Sequence, residues 1–154
     1  MEIVEKGAGV YRCQCRNCAT EYEMYRFSDF SYGMWLLQTV DGRDYAYLEC
    51  FDNPDFDDLS RHIKKLYPQL TDTDQAHWLH RILGEVCDPI NGKPLDVLLG
   101  LKCPSCGSTD VKELDAHAQS STKLSIPVVT FTNWRQKSET KKIALITKRI
   151  NRKE

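Results

Sequence analysis

The sequence predicts an α+β fold: an antiparallel sheet, two helices inserted in the middle of the chain, and a helix at the C-terminus. Three observations carry that expectation. Several short segments alternate apolar and polar residues at a period of two, the mark of a half-buried strand. Two central stretches and one C-terminal stretch instead repeat their apolar residues at helical spacing. Two C-x-x-C pairs, Cys15/Cys18 and Cys103/Cys106, lie beside expected strands with 84 residues between them, so any ion they share ties both ends of a long excursion together.

"VYRCQC", residues 10–15, and "TEYEMYRF", residues 20–27, suit strands flanking the first pair. "MWLLQTV" and "DYAYLECF" flank "DGR" at 41–43, and Asp-Gly supplies the positive φ angles of a tight hairpin turn. "DDLSRHIKKLY" puts Leu59, Ile63 and Leu66 on one helical side and stops before Pro68. Asp55, Asp57 and Asp58 at its start suit the positive end of the helix dipole. A second helix starts near "TDTD", carries Trp78, Leu79, Ile82, Leu83 and Val86 on its apolar face, and stops at Asp88-Pro89. "LDVLLGLKC" reads as a buried strand arriving at the second cysteine pair, and "DVKEL" as a strand leaving it. "AHAQSSTKLS" is polar and reads as a mobile loop, and "PVVTFTNW" as a strand. Ser138 can cap "ETKKIALITKRI", whose Ile143, Ile146 and Ile150 share a stripe. Trp134, just before that cap, can fold over the first turn and bury against the stripe.

With 154 residues, 41% hydrophobic and 28% charged, the chain has the material for one domain with a modest core. No run approaches the roughly 18 apolar residues of a membrane span. Glu2, Glu5 and Lys6 at the start do not suit a secretory signal, and the seven cysteines then imply a reducing, cytoplasmic setting and metal binding, not disulfides.

A tetrahedral Zn²⁺ takes four thiolates at about 2.3 Å, and a C-x-x-C turn delivers two from one tight loop. "CPSCG" suits such a turn: Pro104 sets φ early and Gly107 permits a positive φ after the second ligand. In "CQCRNC" the spacing selects Cys15 and Cys18, with Asn17 tolerating the left-handed region. Cys13 shares a strand face with Cys15 but lies too far back to join the turn. The assigned zinc ligands are Cys15, Cys18, Cys103 and Cys106. These two knuckles resemble a zinc ribbon, a small β-hairpin module, over residues 10–27 and 97–115. The resemblance implies a four-cysteine zinc site stapling the fold. Ribbons commonly place about 15–20 residues between knuckles. The longer excursion here makes the ribbon the staple of a single domain spanning 1–154, with hairpin and helices inserted over 28–96 and a C-terminal strand and helix over 127–154.

The remaining cysteines, Cys50 and Cys87 above all, suit buried packing. His77 and His80 sit at i, i+3 without the further donors of a metal site, and read as a polar flank. Asp55, Asp57 and Asp58 could hold a hard cation, although helix-dipole chemistry explains them as well. No phosphate-binding loop, nucleophile elbow or dinucleotide glycine pattern occurs, so no catalytic role is expected.

Charge is unevenly distributed. Residues 41–96 carry twelve acidic and six basic side chains, and residues 135–154 carry two and eight. Acid interleaved with Tyr45, Tyr47, Phe51 and Phe56 suits capture of a basic protein, with Asp44, Asp52, Asp55, Asp57 and Asp58 as contacts. In composition and charge this is similar to small bacterial immunity proteins, which neutralise nuclease toxins. The competing expectation is nucleic-acid binding by Arg12, Arg16, Lys102 and Lys112 on the ribbon and by Lys148, Arg149, Arg152 and Lys153 in the tail. The acidity of the insertion and a pI near 6.4 weigh against it.

Overall fold

The computed structural model describes residues 1–27, 32–96 and 102–151. In chain order the elements are β1 (Ile3–Cys15), β2 (Glu21–Arg26), β3 (Met34–Thr39), β4 (Tyr45–Glu49), α1 (Pro54–Leu66), α2 (Asp72–Val86), β5 (Leu95–Asp96), β6 (Val111–Glu113), β7 (Ser120–Pro127), α3 (Thr132–Gln136) and α4 (Glu139–Asn151). Helices and two antiparallel sheets stack as three layers, so the α+β class holds.

The first sheet is organised by β1, which is longer than the expected six-residue strand. β2 pairs with Gly9–Gln14 along one edge. The other edge is shared end to end: β7 pairs with Ile3–Val10 and β6 with Cys13–Cys15. Between them Asp115 completes the ladder, its carboxylate accepting the Arg12 backbone N–H at 2.9 Å and the Arg12 guanidinium at 2.9 and 3.2 Å. The expected loop over 116–125 is therefore mostly strand. Its polar residues are those of a sheet with one wet face: Ser121, Lys123 and Ser125 are exposed while Leu124 and Ile126 turn inward. The expected strand over 127–134 ends at Pro127. Val128 makes a single bridge to Tyr47, and the chain then enters α3. Asp88 drives that turn, accepting the N–H groups of Thr132 (2.7 Å) and Asn133 (2.8 Å) and the Thr130 hydroxyl (2.7 Å).

The second sheet has the order β4-β3-β5. The 41–43 turn exists, but it is a five-residue loop closed by Thr39 N–H to the Asp44 carbonyl at 2.9 Å, and only Gly42 takes a positive φ (76°). Asp41 instead turns its carboxylate to the Thr39 hydroxyl (2.6 Å) and Lys93 (2.9 Å). One face of this sheet packs on the first through Leu36, Tyr47 and Ile126, joined by Val4, Tyr25, Phe27 and Leu124. The other face, with Leu37, Ala46 and Leu48, packs on the helices. Burial on both sides explains the unbroken apolar run of β3.

Asn53 caps α1 through the Phe56 N–H (3.1 Å), and Thr71 caps α2 through Asp74 (3.1 Å). Leu79, Ile82, Leu83 and Val86 bury as expected, whereas Trp78 stays half-exposed beneath the Arg81 guanidinium. Gly84 lies so close to the Leu95 carbonyl that a Cβ would stand 2.5 Å from it. Ser138 caps α4 through Lys141 N–H (3.2 Å), and Trp134 is fully buried. The expected strand 95–103 begins as β5, and its residues 97–101, like part of the second ribbon segment, lie outside the described residues.

Candidate metal centre

The first knuckle joins β1 to β2 and the second leads into β6, so the pairing of β1 with both strands brings the two turns face to face. Each knuckle repeats the same hydrogen bonds. The Cys15 N–H donates to the Thr20 carbonyl and the Cys103 N–H to the Ser108 carbonyl, both at 2.9 Å. Ala19 N–H reaches the Cys15 carbonyl and Gly107 N–H the Cys103 carbonyl, again at 2.9 Å. The left-handed residue is Ala19 (φ 63°), matching Gly107 (φ 76°), and not Asn17 as expected. The common pattern is C-x-x-C, then a small residue, then Thr or Ser, and it was readable in the sequence. The hairpin loop braces the second turn: Arg43 Nε donates to the Pro104 carbonyl at 3.3 Å, and Gly42 fits against the Lys102 carbonyl where a Cβ would come within 3.1 Å.

The four sulfurs lie within 4.8 Å of one another. Cys15 Sγ is 3.5 Å from Cys106 Sγ, and Cys18 Sγ is 3.6 Å from Cys103 Sγ. A tetrahedron with arms of about 2.3 Å has edges of about 3.8 Å, so the four cysteines are close enough to hold a metal ion. The surroundings favour thiolates at the exposed positions. The Thr20 hydroxyl and backbone N–H draw the Cys18 thiol down to about 6. The Ser108 N–H, then the Asn17 side-chain amide, lower Cys106. At Cys15 the Cys18 N–H pulls downward, but burial and shared protons with Cys106 and Cys18 win, leaving it near 11. Cys15 and Cys103 are buried, Cys18 and Cys106 exposed.

Cys13 stays outside the group, buried on β1 opposite Tyr22, where burial and then Glu113 push its thiol up. Burial likewise pushes Cys50 up to about 12 and raises Cys87 further, in keeping with packing roles. The His80 ring rests on Trp35 at 4.3 Å. Among the described residues no other cluster of His, Cys, Asp and Glu gathers closely enough for a metal, the Asp55–Asp57–Asp58 group included.

The acidic candidates separate in space and in partners. Asp44 pairs with Lys93 (3.0 Å) at the knuckle end of the hairpin. Asp55 pairs with Arg135 (2.6 Å). Asp58 accepts from Lys142 Nζ (2.8 Å), Trp134 Nε1 (3.1 Å) and Arg61 (3.0 Å). Asp52 and Asp57 are exposed and have no ion pair among the described residues. Of the expected aromatic anchors, Tyr47 is buried between the sheets, Tyr45 packs on Tyr25 and Phe56 on Trp35. Phe51 is 51% exposed and stacks on Tyr32, which is 85% exposed and had no pattern to single it out. Gly33 holds this pair in place: its φ is 80°, and a Cβ there would lie 2.3 Å from the Phe51 ring. Of the basic candidates, Arg12 pairs with Asp115 and Arg16 with Asp110, and Arg149 donates to the Arg81 carbonyl; Arg152 and Lys153 lie outside the described residues.

Comparison with protein-family models, with curated proteins and with solved structures finds no match to this chain. No helix among the described residues is long and apolar enough to cross a membrane.

Proposed function

We propose that the four-cysteine centre binds Zn²⁺ as a zinc-ribbon staple, and that the chain is a non-catalytic module that captures a basic protein, as a toxin-neutralising immunity protein or similar inhibitor would. Zinc suits the site because an all-thiolate tetrahedral donor set is that of structural zinc. Cys15, Cys18, Cys103 and Cys106 would hold it, and the ion would supply a fixed link between segments far apart in sequence.

The observation that carries the binding reading is the exposed Tyr32–Phe51 pair beside Asp52, with Asp57 on the adjoining turn of α1. Solvent-facing aromatics rimmed by carboxylates that have no ion pair among the described residues offer apolar anchors within a negative field, the combination that fixes and steers a cationic partner. The pairing of Arg12 and Arg16 with carboxylates weakens the nucleic-acid alternative.

The test compares the zinc-loaded chain with Phe51→Ala and with Asp52→Lys/Asp57→Lys, using immobilised protein and a cell extract. Capture of basic proteins that falls with salt and is lost in both variants is the expected outcome. Equal capture by the variants, or salt-sensitive binding of oligonucleotides in place of protein, overturns the reading.

A further inference from the structure

Tyr22 lies on β2 and packs against the small cluster of Cys15, Cys103 and Val111. Its hydroxyl oxygen is buried and has no hydrogen-bond partner among the described residues. A buried hydroxyl is ordinarily paired, because its exchange with water is lost and only a new bond replaces it. A phenol carries one O–H donor, so this hydroxyl has a proton to share. What it lacks is an acceptor.

The cysteines differ in what already reaches them. Cys15 receives the Cys18 N–H at 3.5 Å. The Cys18 thiol donates to the Thr20 hydroxyl at 3.1 Å, a group that can turn to donate in its place once the sulfur is deprotonated, and Cys106 accepts from the Asn17 side-chain amide at 3.6 Å. Cys103, fully buried, has the Cys18 thiol as its hydrogen-bonding neighbour among the described residues. That contact depends on a proton shared between two sulfurs, and metal binding removes such protons. Cys103 would then be a buried anionic sulfur short of a donor, in the same small cluster as a buried donor short of an acceptor.

We infer that Tyr22 is a positioning residue of the metal centre, its phenolic O–H donating to the Cys103 sulfur when that sulfur binds the ion. The inference rests on the proposed metal binding. Outer partners of this kind fix a ligand's orientation and tune its donor strength. Cys13, the cross-strand neighbour of Tyr22, stands outside the four-cysteine group, so a bound ion would give it no charge for a donor to offset.

The test is Tyr22→Phe, which preserves the ring and removes only the hydroxyl. Zinc and cobalt uptake, chelator competition, the thiolate-to-cobalt charge-transfer band and the melting temperature of the metal-free chain are measured for both proteins. Both are expected to hold one ion per chain. The variant is expected to bind about 10- to 100-fold more weakly. Its charge-transfer band moves to lower energy, since the sulfur loses a bond that stabilises its lone pairs. The metal-free variant melts at or above the wild-type temperature, because an unpaired buried hydroxyl has gone. Unchanged affinity and band overturn the inference while leaving the metal reading intact. Weaker binding with a matching fall in metal-free melting temperature also overturns it, since that pattern marks a packing role. A wild-type chain that takes up neither ion overturns the metal reading and this inference with it.

Discussion

The knuckle end and the helix-backed end of this molecule are held by different physics. At the helix-backed end, Leu37, Leu48, Leu59, Ile63, Ile82, Leu83, Phe131, Trp134 and Ile146 share one continuous buried cluster. Apolar burial there stabilises the packing without help. At the knuckle end the buried cluster is Cys15, Cys103 and Val111, with Tyr22 against it. So small a cluster offers little to offset the ordering of two turns and three strands, and an ion held as proposed by the four cysteines would supply the difference. The contrast gives the proposed metal centre its place: it lies where the hydrophobic core is thinnest.

The largest expected effect falls at the knuckle end. Cys103→Ser should abolish stoichiometric zinc, whose binding in structural sites is worth on the order of 10 kcal/mol. Amide protection should vanish along β2 and β6 while the far-UV signal of α1, α2 and α4 survives, as hydrogen exchange and circular dichroism can read. Cys13→Ser should keep one ion per chain. Loss of the helices in Cys103→Ser would show that the two ends are a single cooperative unit.

Next comes Trp134→Ala at the other end. It opens a cavity at a fully buried position and removes a donor from Asp58, so a loss of about 3–5 kcal/mol is expected in denaturant melts, with zinc content unchanged.

Asp58 sharpens the comparison through pH. Burial works to raise its pKa, but the bonds from Lys142 and Trp134 outweigh it and hold the carboxyl below its usual value. A lowered folded-state pKa gives stability that is present above the ordinary carboxylate range near pH 4 and lost as pH falls through the lower folded value. Asp58→Asn should cost about 1.5–3 kcal/mol at neutral pH, the weight of hydrogen bonds to a charged group, and its melting temperature should fall less steeply in acid than that of the wild type.

The smallest effect is local. Gly33→Ala should cost about 1–2 kcal/mol for an L-residue in the left-handed region and displace the Phe51 ring. Partner capture should fall with little change in zinc content, which an affinity measurement beside metal analysis can separate.

Much of this arrangement was legible in residue order. Metal-turn chemistry is written in spacing, so the cysteine group followed from two C-x-x-C pairs. The helices followed from apolar period and from caps such as Ser138. β7 was not legible, because its polar residues describe only its wet face and its pairing edge belongs to β1, over a hundred residues earlier. Nor was α3, whose N-terminal donors are met by Asp88 from another part of the chain. The aromatic anchors were misplaced for a related reason. Tyr47 and Phe51 look alike in sequence, yet one is sealed between sheets and the other faces water.

By itself the sequence determined the elements that local chemistry controls: the cysteine turns, the capped amphipathic helices and the hairpin. Each depends on residues within a few positions, so its cause and its effect lie in the same window. The tertiary structure alone decided which carboxylates remain unpaired, which aromatics reach solvent and which hydroxyl lies buried beside the cysteines. Those properties depend on neighbours far along the chain. Asp58 meets Lys142 and Asp55 meets Arg135 only once α1 packs beside the C-terminal helices, and until then all five candidate acids are chemically alike.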